Sequence, residues 1–528
     1  MPYLHALTAL PLADARSRSL TALATAFVLT GCMVGPKYHG PPPETSADIP
    51  IKYKNGSGGD ERWRGARPSD TEGAADWWRV FSDPTLNRLE SQAYTANQNI
   101  RLAVDRIDDA AAQVQIAAAD LYPNVNLASS ATRSRTTSTG PLEAERIVGS
   151  TAGLGLGSSS GPTPVFTGSN GPVFSGQPIS VTSWDFQNPV LMRWELDLFG
   201  RIRRNVQAAR SQTEQAEADL AATLLSVTAN VATDYFTLRA LDAQVVILQN
   251  TIATRQDALQ IAEERFEAGL VNELDVARAQ SEVASEQAEL SSVQRSRAEM
   301  ENAIATLAGK LASNLHLPPG AIAYSPPRIP AGLPSRLLER RPDVASAERS
   351  VATANARIGA AVAAFYPDVT INGATGFETA NIGDIFAGQS LIWSLGPSMT
   401  VPIFEGFRLK AGLRSAKAQY RETVDNYRNQ VLSAFEDVEN ALADIRKLAD
   451  QYEAQERAVA AANRTLELSQ QQYDKGAVTY LDVLDAERTL LSDEQIAAQL
   501  AGARLQATVQ LIKAIGGRWD RQFSRVAP

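Results

Sequence analysis

The sequence predicts a mainly α-helical chain that also carries a transmembrane β-barrel. It is internally duplicated, with long antiparallel helical hairpins forming an α-barrel tunnel and four β-strands per chain completing a trimeric twelve-stranded barrel. Three observations predict this. Arg201 to Ala268 contains neither Gly nor Pro. The pattern of that stretch returns 207 positions later without a gap. Segments of strong apolar–polar alternation precede each copy.

An unbroken helix over Arg201 to Ala268 would reach about 100 Å at 1.5 Å per residue. Leu224, Val231, Leu238, Val245, Ile252, Leu259 and Phe266 fall on a sevenfold repeat. A second stripe of Val227, Leu241, Leu248 and Ala262 completes coiled-coil spacing. The run stops at Gly269, a helix start follows at Asn272-Glu273-Leu274-Asp275, and the returning arm holds no Gly or Pro until Gly309. This spacing predicts a long hairpin with a tight tip. In the second copy the stripe becomes Val431, Val438, Ile445, Tyr452, Val459, Leu466 and Tyr473, and Gly269 becomes Gly476. Such rods are too long for an ordinary globular core.

Before the first rod, Thr182 to Gly200 reads as one alternating strand. Trp184, Phe186, Val190, Met192, Trp194, Leu196 and Leu198 lie on one face, with Asp185, Gln187, Arg193, Glu195 and Asp197 on the other. Apolar-out, polar-in alternation with aromatics near the ends is the pattern of a membrane-spanning strand, although a half-buried strand of a soluble sheet looks similar. Its partner begins at Tyr122-Pro123 and continues through Val125, Leu127 and Ala131. The second copy repeats the pair after Tyr366-Pro367, with Val369, Ile371 and Phe377, then Leu391, Trp393, Leu395, Met399, Val401 and Ile403. Proline pushes the residue before it out of the α region, so each Tyr-Pro marks a helix handing over to a strand. Four strands cannot close a membrane barrel, and eight leave an interior that side chains fill. Three chains with twelve strands are the smallest comfortable duct, with the rods projecting into the periplasm.

Composition excludes other classes. A net charge of −9 over 528 residues, with no Lys/Arg cluster, argues against a nucleic-acid partner. The three His residues are scattered and there is one Cys, so no metal-ligand spacing exists. No phosphate-cradling glycine loop occurs, and the G-x-S-x-G spacing at Gly157 to Gly161 lies in a Gly/Ser/Pro-rich loop and not between a strand and a helix, so no enzyme and no cofactor are expected. The single cysteine, Cys32, ends Leu29-Thr30-Gly31-Cys32 after Arg16, Arg18 and the apolar segment Leu20 to Leu29. This reads as a signal peptide with a lipobox, giving covalent diacylglycerol and an N-acyl lipid at Cys32. Met33 in the next position favours the outer membrane. The expected divisions are a signal peptide over 1–31, a lipid-anchored strap over 32–80, a first repeat over 81–310, a linker over 311–342, a second repeat over 343–517 and a tail over 518–528.

These residues resemble the TolC-like outer-membrane efflux proteins, in their lipoprotein (NodT-type) branch. The resemblance covers nearly all of the chain after Cys32. It is carried by Cys32-Met33-Val34-Gly35-Pro36-Lys37-Tyr38, Trp77-Trp78, Phe81, Asp83-Pro84 and Trp194-Glu195-Leu196-Asp197-Leu198-Phe199-Gly200. Arg340-Arg341-Pro342-Asp343, Tyr366-Pro367, Pro402-Ile403-Phe404 and Gly406 complete it. It implies a homotrimer in the outer membrane of a Gram-negative bacterium. Its belt would draw on an N-terminal helix from Asp83 to Leu121, a helix from Arg341 to Phe365, the middle linker and the C-terminal tail. It further implies docking with a periplasmic membrane-fusion adaptor and an inner-membrane pump, and conduction of small toxic compounds outward.

The tips are where function is expected to concentrate. Asn272-x-x-Asp275 and Thr479-x-x-Asp482 read as helix caps. Gly269, Leu270, Leu274, Gly476, Ala477 and Leu481 are the expected adaptor-contacting residues. Where the repeats disagree, Asp485 aligns with Arg278 and Tyr480 with Glu273. The resemblance implies that Leu481 and Asp485 narrow the periplasmic opening, and their i,i+4 spacing puts them on one helix face. Arg488, three residues on, is expected to pair with Asp485, with Arg278 as a second partner. A periplasmic coiled-coil adaptor would need only one hairpin plus lipoyl and small β-barrel domains. A structural lipoprotein tether would not need the alternating strands.

Overall fold

The computed structural model describes residues 33–40, 54, 76–136, 181–322, 325–329 and 340–517. The signal peptide, Cys32, most of the expected strap, the loop after β2 and the C-terminal tail lie outside these residues. No described helix is long and apolar enough to cross a membrane. The chain divides into two compact units, one carrying the sheet and the other most of the helices.

In chain order, a 3-10 turn at Trp77–Phe81 leads into α1 (Pro84–Ala96) and α2 (Gln98–Ala119). The first strands are β1 (Asn124–Leu127), β2 (Ser130–Thr136), β3 (Val181–Gln187) and β4 (Val190–Leu196). Next come α3 (Arg201–Glu267), α4 (Glu273–Leu307) and α5 (Pro342–Ala363). Then follow β5 (Asp368–Thr379), β6 (Leu391–Thr400), α6 (Arg408–Asp474) and α7 (Tyr480–Ala514). The outgoing helices α3 and α6 have 67 residues each and the returning helices α4 and α7 have 35 each. Both ends of both pairs are displaced by 207 positions, as the repeat predicts.

The returning arms are shorter than a uniform hairpin implies. At 1.5 Å per residue α4 and α7 reach about 50 Å, half the outgoing length. A second helix abuts each of their ends. Asn97 Nδ2 donates to Leu307 O at 2.8 Å, and Arg341 Nη1 donates to Ala514 O at 3.2 Å, so α2 starts where α4 stops and α5 where α7 stops. Asn97 also breaks the single N-terminal helix expected from Asp83 to Leu121. Its side-chain oxygen accepts from Asn99 N at 2.8 Å and Ile100 N at 3.3 Å, capping a new helix. Upstream, Asp83 caps α1 by accepting from Thr85 N and Leu86 N, and Pro84 occupies the first helical position, where its missing N–H costs nothing.

The helical unit has its core where these elements meet. Trp77, Trp78, Phe81, Leu86 and Leu89 pack against Val231, Tyr235, Phe236 and Leu238 of α3 and against Leu505, Val509 and Ile512 of α7. Burying each large apolar side chain contributes about 1.5–3 kcal/mol. Asp83 ties the layer together, its second oxygen accepting from Tyr235 Oη at 2.6 Å. A second core joins Val344 and Val351 of α5 to Val424, Tyr427, Val431 and Val438 of α6.

In the sheet unit, β1 pairs with β4 and β2 with β3, β4 and the end of β3 pair with β5, and β5 pairs with β6, all antiparallel. The long strand expected over Thr182 to Gly200 is therefore two short ones, and its partner is also interrupted. Register is nevertheless continuous across the break, since Leu127 faces Val190 and Ser130 faces Gln187. The cause is Pro189, which has no N–H for the ladder. Asn188 N still reaches Phe377 O at 2.9 Å and Ala128 N reaches Pro189 O at 2.9 Å, so the interruption is local. Gly376 makes room opposite, because a Cβ there would lie 2.4 Å from Pro189 Cα. Four paired lengths of strand result, and the apolar side chains fall on one face: Val125, Val190, Met192 and Trp194 align with Ile371, Leu395 and Met399.

Candidate functional site

Both hairpin tips close by the same local chemistry. Gly269 has φ +73° and Gly476 φ +70°, the left-handed conformation that favours glycine at a helix end. Gly269 N donates to Phe266 O at 2.9 Å and Leu270 N to Arg265 O at 2.8 Å. Gly476 N to Tyr473 O and Ala477 N to Gln472 O repeat the pair, both at 2.9 Å. These two bonds are the Schellman motif. The leucines around the two tips are exposed: Leu270 is 74% exposed, Leu274 53% and Leu481 50%.

The caps of the return helices differ. Asn272 accepts from Asp275 N at 3.1 Å, while the Asp275 carboxylate lies 3.9 Å from Arg278. In the second copy the cap is reciprocal: the Thr479 side chain accepts from Asp482 N, and Asp482 accepts from Thr479 N at 2.9 Å and from Thr479 Oγ1 at 2.7 Å. The Thr479 hydroxyl, then its backbone N–H, hold the Asp482 carboxyl below its ordinary range.

The expected Asp485 contacts are not formed. Arg488 turns instead to Glu282 of the first hairpin, making two hydrogen bonds, one of them Nε to Oε2 at 3.2 Å. Arg278 faces Asp275. Asp485 is exposed, and its carboxylate has no hydrogen bond or ion pair among the described residues. The physical reason is charge density: Glu282 sits in a partly desolvated cluster, where a second cation is worth more than at an exposed i,i+3 position.

That cluster is the feature that sequence reasoning missed. Arg255 of α3, only 2% exposed, bonds Glu282 and lies 3.1 Å from Glu286, both on α4. Glu487 and Arg488 of α7 complete it, so three helices of two hairpins share two cations and three carboxyl groups. The Arg488 hydrogen bond, assisted by the Arg255 charge, holds the Glu282 carboxyl below its ordinary range. Burial pushes Glu286 and Glu487 up instead. Nearer the tips, Arg265 Nη1 donates to Tyr473 Oη at 2.9 Å, and the Tyr473 ring lies 5.8 Å from Tyr480. A signal existed in the repeat: Arg255 aligns with Ala462, Glu282 with Thr489 and Arg488 with Ser281. Comparison of the copies away from the tips would have found it.

The geometry is that of a duplicated helical-hairpin chain with a membrane-type sheet, and comparisons with known proteins place it. The family model described as outer membrane efflux protein matches residues 89–310 and 333–517. The chain belongs to this family. It is 30% identical over 513 residues to the toluene efflux pump outer membrane protein TtgC of Pseudomonas putida, covering 96% of this chain and 97% of that one. It is 29% identical over 506 residues to the cation efflux system protein CusC of Escherichia coli, covering 95% and 99%. Among solved structures, the outer-membrane channel OprN matches with a TM-score of 0.76 and 29% identity, covering 92% of this chain and all of that one. This efflux channel is therefore a transport protein of the outer membrane, an exit duct of the family's helical-tunnel and β-barrel fold.

Proposed function

We propose that the channel works as a homotrimer whose three sheets close one twelve-stranded barrel. The observation that carries this is the pair of open sheet edges. Among the described residues, the first strand (β1 and β2) and β6 each pair on one side only, while all four strand lengths share an apolar face. Unpaired strand edges cannot be left in lipid. The exposed tip residues Gly269, Leu270, Leu274, Gly476, Ala477 and Leu481 fit a periplasmic membrane-fusion adaptor, itself joined to an inner-membrane pump. Diacylglycerol and an N-acyl chain at Cys32 add a second anchor. No nucleic acid, cofactor or catalytic step enters this reading.

The periplasmic end closes where Leu481 and Asp485 of three chains converge. Arg488 acts from behind this point, fastening the second hairpin to Glu282 of the first. The relatives named for toluene and for cations match this chain almost equally well, so cargo choice falls to the pump and the duct conducts passively. Migration of the outer-membrane extract with and without heating tests the assembly. A heat-sensitive trimer with channel activity in planar bilayers is expected; a monomer under all mild conditions would overturn it.

A further inference from the structure

The apolar face of the sheet changes character at its loop end. Trp194 and Trp184 lie on this face ten positions apart, about 33 Å along the strand and about 25 Å along the membrane normal once strands tilt. That is the height of a barrel's apolar band, so Trp184 marks the outer interface. Register places Arg133 directly opposite Trp184, and Arg135 opposite Thr182 one step further out. The Arg133 guanidinium carbon lies 5.5 Å from the Trp184 ring centroid, and that ring stacks on Phe186 at 5.5 Å.

The distribution of charge across the sheet is uneven. All four carboxylates of the described strands, Asp185, Glu195, Asp368 and Glu378, fall on the opposite face. The apolar face carries two arginines at its outer margin and, among the described residues, no acid. A guanidinium fork matches phosphate geometry, and an aromatic platform orients it at little entropic cost. The outer leaflet at this level is rich in phosphorylated glycolipid whose own charges repel unless cations lie between them.

We propose that Arg133, seated on Trp184, and Arg135, one step further out on the same face, form a binding site for the phosphate groups of outer-leaflet lipopolysaccharide. The site rests on the reading that the apolar face meets lipid. Each charge-assisted bond discriminates by several-fold or more.

The test uses the full-length channel in phosphatidylcholine nanodiscs, titrated with lipopolysaccharide and, separately, with phosphatidylglycerol. Arg133→Gln with Arg135→Gln should weaken lipopolysaccharide binding by about tenfold or more. Arg133→Lys with Arg135→Lys should restore part of it, and phosphatidylglycerol should compete weakly. Heat-sensitive trimer and conductance should stay unchanged. Equal lipopolysaccharide binding by the Gln variant overturns the site, as does equal competition by phosphatidylglycerol. Quenching by brominated phosphatidylcholine, reduced in Trp184→Phe, separately reports whether this face meets lipid. Absence of quenching in the unmutated channel, or equal quenching in Trp184→Phe, would sink the lipid-facing reading itself.

Discussion

Arg488 and Glu282 stand 206 positions apart in the chain, yet their side chains form two hydrogen bonds joining the second helical hairpin to the first. The bond lies beside the buried Arg255, so it is shielded better than a surface pair. Glu282→Gln should keep the trimer but raise its conductance in planar bilayers several-fold. Removing one partner of a buried pair costs about 3–5 kcal/mol, and a part-exposed one less. An unchanged conductance with intact trimer would leave this link a packing contact only.

The same pair predicts a response to acid. The Glu282 carboxyl is held below its ordinary range, so its stabilising charge is fully present at neutral pH and is lost as pH falls through the lowered value. Conductance should therefore rise below about pH 4, where free glutamate titrates. Glu282→Gln should rise less, because its link is already weakened. An equal acid response in both proteins would assign the effect elsewhere.

Leu481→Ser with Asp485→Ala should raise single-channel conductance and admit large antibiotics such as vancomycin into cells. Both side chains are exposed at the tip, so the rods should keep their stability to within about 1 kcal/mol. If conductance stays at the starting value with normal trimer, these two residues do not form the constriction.

Gly269→Pro or Gly476→Pro should abolish efflux while trimer still inserts. Each glycine has a positive φ that proline cannot adopt, and each N–H donates to the preceding turn. Drug sensitivity with a normal heat-sensitive band is the expected pair of readings. Absence of the band would make the tips part of folding.

Gly376→Val should block barrel assembly, since its first side-chain carbon would meet Asn188 O and Pro189 Cα at 2.4 Å. Gly388→Ala, with nothing within 4 Å of the new carbon, is the control. Wild-type levels of trimer for Gly376→Val would show that the crossing at Pro189 can relax.

Cys32→Ser should weaken membrane attachment only in part, because the barrel anchors the trimer as well. Fractionation of membranes checks this. A fully soluble trimer would remove the barrel from the account.

The amino-acid sequence by itself determined the long helices, their duplication and the face each strand residue takes. Those features repeat at short periods, 3.5 for a helix seam and 2 for a strand, and are written in residues close together in the chain. It also marked both tips, since Gly269 and Gly476 end unbroken runs. Tertiary structure decided what depends on meetings between distant segments. Asn97 breaks a pattern that reads as one helix because Leu307 O is there to receive its amide. Pro189 interrupts two strands without shifting register because Gly376 lies opposite. Arg488 chooses Glu282 over Asp485 because packing brings the charges of α3, α4 and α7 into one desolvated place, and local spacing cannot say which faces of three remote helices will meet.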